Sequence, residues 1–133
     1  VQRSGRVVVE PLARRRELLP DVLDEHGPAR DAVREAARAL EAAVSADPNL
    51  VDAPYNLGSL FLQQGQLEQA RAAYMAAIAA DSTFARTYYA LAVVYEAQGS
   101  IPRARENYET FIELWQGDPG FLRQARARLA QLP

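Results

Sequence analysis

At 133 residues, 49% of them hydrophobic, and with a formal net charge of −2, the chain is long enough to bury one continuous core. The near-balanced charge argues against a broad electrostatic hold on nucleic acid or acidic membranes. With no cysteine there is no disulfide framework, no thiol nucleophile and no cysteine metal site. No apolar run approaches the roughly 20 residues needed to cross a bilayer. The compartment stays open.

Taken in order, residues 1–10 differ from the rest. Val7, Val8 and Val9 favour an extended segment, expected to be a tail or the end of a preceding domain. The chain starts at Val1 and its one Met is Met75, so a processed or excised piece of something larger is expected. All 15 basic residues are Arg which, with the abundant Ala, points to a GC-rich bacterial coding bias.

From Pro11 the pattern is helical with short punctuation. A first helix is expected from Pro11 to about His26, closed by Gly27 and Pro28, and a second from Ala29 to Ala46, stopped by Asp47 and Pro48. The next pair runs from Val51 to Gln64 and from Leu67 to Ala80, turning at Gly65. Another pair covers Phe84 to Gln98 and Pro102 to Trp115, turning at Gly99 and Ser100. Pro119 opens a seventh helix that ends near Gln131. Short connections predict antiparallel neighbours, and no stretch alternates as a strand would, so the fold class is all-α.

The pattern returns after thirty-four residues. Leu57, Gly58, Phe61, Gly65, Ala70, Tyr74 and Ala77 come back as Leu91, Ala92, Tyr95, Gly99, Ala104, Tyr108 and Phe111. One period earlier stand Ala36, Leu40, Ala43, Asp47 and Pro48. This period, with helical spacing inside each unit, resembles the tetratricopeptide repeat. The resemblance implies antiparallel helix pairs stacked as a right-handed superhelix over residues 11–133. Its repeats would cover about 17–50, 51–84 and 85–118, the first divergent, with a capping helix at 119–131. Pro54 and Tyr88 occupy the position where the family favours Trp, and Ser82 and Gln116 its helix-ending proline position.

Candidate chemistry is sparse. His26 lies beside Asp21, Asp24 and Glu25, but these do not share one helical face and no second His or Cys is near in sequence. Gly58, Gly65 and Gly99 are isolated and form no phosphate-cradling loop. Arg14, Arg15 and Arg16 read as a solvated helix face balanced by Glu10 and Glu17. No catalytic residue, metal site or cofactor is expected. Trp115, with Phe111, Phe121 and Leu122, reads as the core joining the last repeat to its cap, with an exposed anchor for a partner as the alternative.

The resemblance implies a concave groove lined by the first helix of each pair. Position by position it assigns Asp52, Tyr55, Asn56, Ser59, Leu62 and Gln63 in one unit, and Arg86, Tyr89, Val93 and Glu96, with Ala90 and Ala97, in the next. Asn56 and Arg86 fall on two positions of the family's carboxylate clamp, whereas Asp21, Glu25 and Ala90 fall on the others, which argues against clamping a chain terminus. Tyr55 and Tyr89 are expected off the helix-packing face. The expected function is a non-catalytic module or scaffold that binds a protein or peptide, with neither nucleic acid nor membrane insertion. The alternatives are an accessory domain of a larger enzyme and a self-associating homo-oligomer.

Overall fold

The computed structural model describes residues 28–133, which hold six helices: α1 (Pro28–Ala46), α2 (Asp52–Gln63), α3 (Leu67–Ala80), α4 (Ala85–Ala97), α5 (Ile101–Leu114) and α6 (Pro119–Gln131). No strand occurs among the described residues. The expectations for the tail, the first helix, Arg14 to Arg16 and the surroundings of His26 lie outside the described residues. The chain divides into two units between Arg38 and Ala39, inside α1, and residues 39–133 form the compact second unit. Along α1, Val33, Ala37, Leu40 and Val44 form a half-buried stripe, while Ala36 and Ala43 are exposed.

In the second unit α2 packs on α3, α3 on α4, α4 on α5 and α5 on α6, and α2 also touches α4. Both helix pairs close in the same way. At the end of α2, Gln66 N–H donates to Phe61 O at 2.9 Å and Gly65 N–H to Leu62 O at 3.0 Å. One period on, Ser100 N–H donates to Tyr95 O at 2.8 Å and Gly99 N–H to Glu96 O at 3.0 Å. This motif needs a left-handed residue, and Gly65 and Gly99 supply it at φ 74° and 78°. The loops between pairs also repeat. Asp47 Oδ1 accepts from Asn49 N–H at 3.1 Å, and Asp81 Oδ1 from Thr83 N–H at 2.9 Å.

The core is built from the period-related small and aromatic residues. Ala70, Tyr74, Ala77, Leu91, Ala92, Ala104, Tyr108 and Phe111 are all buried. Pro54, where the family favours Trp, is fully buried in the first turn of α2, a place where its missing N–H costs no helix bond. Gly58 lets α2 and α3 close up, because a Cβ there would lie 2.6 Å from Tyr74 Cε1 and 2.7 Å from Cδ1. Gly58→Ala is expected to overpack this seam and cost about 1–3 kcal/mol in a urea titration. An unchanged midpoint would show that the ring moves aside freely.

Helix α6 starts at Asp118, whose side chain caps Gly120 N–H at 2.7 Å, with Pro119 in the first turn. Ala125 and Leu132 bury its apolar side, with Leu122 and Leu129 half-buried beside them. No described helix is long and apolar enough to cross a membrane.

Candidate functional site

The inner helices α2 and α4 bring Tyr55, Arg86, Tyr89 and Ala90 to a cleft of about 300 Å³. Its remaining walls are Phe111 of α5, Trp115 of the α5–α6 loop, and Phe121 and Gln124 of α6. Trp115 follows α5 in an extended conformation at ψ 127°, which turns its indole back over the helix end. There it stacks on Phe111 at 5.3 Å between centroids, tilted by 24°, and meets Phe121 edge-on at 5.3 Å. The indole N–H donates to Asp118 O at 2.9 Å, and Gly117 leaves room for the ring, since a Cβ there would lie 2.8 Å from Cε2. The Arg86 guanidinium sits 5.7 Å from the indole centroid. Trp115 therefore packs on the core, as the first of the two sequence readings has it, and also lines an open surface.

Of the groove residues expected from sequence, Tyr55, Arg86, Tyr89 and Ala90 meet in this cleft, and the others do not line it. Asp52, Asn56 and Gln63 are exposed along α2, and Leu62 and Val93 are half-buried beside the core. The Ser59 hydroxyl is engaged locally, 3.2 Å from Tyr55 O and 3.0 Å from Tyr74 Oη. Glu96 belongs to a polar cluster that ties the cap to the last pair. Tyr108 Oη donates to Glu96 Oε1 at 2.8 Å and accepts from Arg128 Nε at 2.8 Å, while Arg128 Nη2 reaches the same carboxylate oxygen at 3.1 Å.

One expectation is corrected. Tyr55 and Tyr89 do lie on packing faces. Tyr55 contacts Tyr74 and Phe84, and Tyr89 contacts Tyr108 and Phe111, all within 5.7 Å between centroids. An inner helix is covered both by its own partner and by the next repeat, so few of its large side chains remain free. Sequence reasoning missed Gln124 altogether. It stands one period after Ala90, so extending the repeat into α6 would have found it.

Burial, aided by donation to Glu96, pushes the Tyr108 phenol up to about 12 despite the opposing Arg128. Burial also raises Tyr74 and Tyr89. A raised phenol favours the folded state below the unfolded value near 10, and that contribution is lost as pH rises through about 12. Stability in urea is thus expected to fall between roughly pH 10 and 12, and less steeply in Tyr108→Phe. Equal slopes in the two proteins would place the titration elsewhere. Among the described residues no three His, Asp or Glu side chains converge as metal ligands.

Comparison with known proteins agrees with the fold. A TPR repeat family model matches residues 58–99, and a tetratricopeptide repeat model matches residues 85–114. No curated protein sequence matches the chain. Among solved structures, MamA is similar over 73% of this chain and 54% of its own, with 32% identity and a TM-score of 0.65. The chain thus spans about half the length of MamA. The Yersinia enterocolitica type III secretion chaperone SycD, in complex with a peptide of the translocator YopD, is similar over 77% of each chain at 19% identity and a TM-score of 0.65. The first TPR of Spaghetti, bound to the HSP90 peptide SRMEEVD, is similar over 77% of this chain and 84% of its own, at 21% identity and a TM-score of 0.63. The repeated turns, the period-related core and the matching family models lead to one conclusion: this chain carries tetratricopeptide repeats across residues 58–114.

Proposed function

We propose that this chain is a non-catalytic protein-interaction module that holds a peptide or protein segment along a concave groove formed by α2, α4 and α6. The observation that carries this reading is the cleft itself. Tyr55, Arg86 and Tyr89 from two inner helices face Trp115 and Phe121 across an open space of about 300 Å³. Aromatic side chains beside one guanidinium suit protein contacts, since they combine apolar area with hydrogen-bonding edges. The exposed Asp52, Asn56 and Gln63 extend the proposed surface along α2, with Ser59, Leu62, Val93 and Glu96 beneath or beside it. SycD and Spaghetti, which share the fold, are seen with peptides bound, which supports the same use here.

Selection from a random peptide library, followed by amide chemical-shift mapping, tests the proposal. Bound peptides should move the amides of Asn56, Arg86 and Tyr89. Shifts confined to the outer helices α3 and α5, or no binder at all, would reject it.

A further inference from the structure

Building on that reading, we infer that the cleft between α2, α4 and α6 is an anchor pocket for one large apolar side chain that stands next to an Asp or Glu inside the bound segment. Size is the first argument. An enclosed cavity of about 150 Å³ holds benzene, so an open space of about 300 Å³ has room for one aromatic or leucine-sized side chain together with its flanking main-chain atoms. The lining is the second. The rings of Tyr55, Tyr89, Phe111, Trp115 and Phe121 surround it, and Ala90 leaves depth where a larger residue would fill it.

Charge selects the neighbour of the anchor. Arg86 is the one charged residue lining the cleft, and among the described residues it forms no ion pair. A ring-lined pocket alone would also suit a quaternary ammonium. Here the guanidinium lies against the face of Trp115 and repels a cation, while a stacked guanidinium can still donate from its edges to a carboxylate. Gln124 adds an amide able to pair with the main chain of the segment. The acidic group is assigned to a side chain of the segment, which peptides with both ends blocked separate from a terminal carboxylate. The cap helix supplies the outer wall: Phe121 is 47% exposed at the rim.

The chain has one tryptophan, so Trp115 emission reads the pocket directly. A library displayed as internal segments and free of Trp is selected on the protein, and the selected sequences are synthesised with both ends blocked. The expected result is enrichment of Phe, Tyr, Leu or Met next to Asp or Glu, with a change in Trp115 emission on binding. Phe121→Ala and Arg86→Gln, both on exposed residues, should each weaken binding about tenfold or more while circular dichroism stays unchanged. Peptides that move the amides of α2 and α4 but leave Trp115 emission and both variants' affinities unaltered would overturn the anchor pocket and leave the interaction module standing. Peptides that bind only with a free carboxy terminus would do the same. A selection that yields no binder would overturn both.

Discussion

The Tyr55→Ala/Tyr89→Ala double variant is expected to unfold at a markedly lower urea concentration than the parent protein. Tyr55 packs against Tyr74 at 5.7 Å and Phe84 at 5.4 Å, and Tyr89 against Tyr108 at 5.4 Å and Phe111 at 5.3 Å. Aromatic pairs of this kind contribute about 0.5–1.5 kcal/mol each beyond their buried area. Losing all of them removes about 2–6 kcal/mol, the low end of which is already a large share of a small domain's stability. Both sites act within one connected core, so the two single changes should not be strictly additive. An unaltered midpoint would mean the rings are held no better in the fold than in the unfolded chain. The consequence for binding studies is practical. Loss of a partner in this double variant would mix unfolding with lost contact, so Arg86→Gln, Phe121→Ala and Asn56→Ala are the cleaner probes.

Tyr74→Ala should be the most damaging single truncation in the α2–α3 pair. The side chain is 1% exposed, its ring fills the space opposite Gly58, and its hydroxyl lies 3.0 Å from Ser59 Oγ. Removing a buried aromatic of this size costs about 3–5 kcal/mol, because the walls of the resulting cavity relax only in part. Tyr74→Phe keeps the volume and is expected to cost about 1 kcal/mol, as Ser59 retains its bond to Tyr55 O. Urea titrations of the two variants separate volume from hydrogen bonding. Similar losses in both would assign the contribution to the hydroxyl.

The described helices were legible in the sequence to within one residue at each end, because glycine or proline punctuates each connection except that between α3 and α4, where Asp81 and Ser82 break the pattern. Gly65 and Gly99 can be read directly, since only a left-handed residue closes the turn they occupy. The buried set was legible too, through Ala70 and Ala104 and through Tyr74 and Tyr108. The orientation of Tyr55 and Tyr89 was not. A helical wheel sees one partner helix, whereas Phe84 reaches Tyr55 from the next repeat. Except for Gln124, the residues of the cleft were visible but not their union: Arg86, Ala90 and the two tyrosines were assigned to the groove, and Trp115, Phe111 and Phe121 to the junction with the cap. That these surfaces are one depends on Trp115 leaving α5 in an extended conformation and folding back over Phe111, which no helical periodicity encodes.

The matched turns after α2 and α4 carry a consequence for how such a chain can grow. Each hairpin ends in the same pair of main-chain bonds, and from α2 to α6 each helix packs on its immediate neighbours, with additional contacts between α2 and α4 and, through Glu96 and Arg128, between α4 and α6. A thirty-four-residue duplication spliced at Ser82 would therefore meet compatible surfaces on both sides. It would lengthen the stack by one step and leave the cap at its end. Reach along a ligand is then a variable that gene duplication can alter without redesigning any interior, and its stability should change by nearest-neighbour increments.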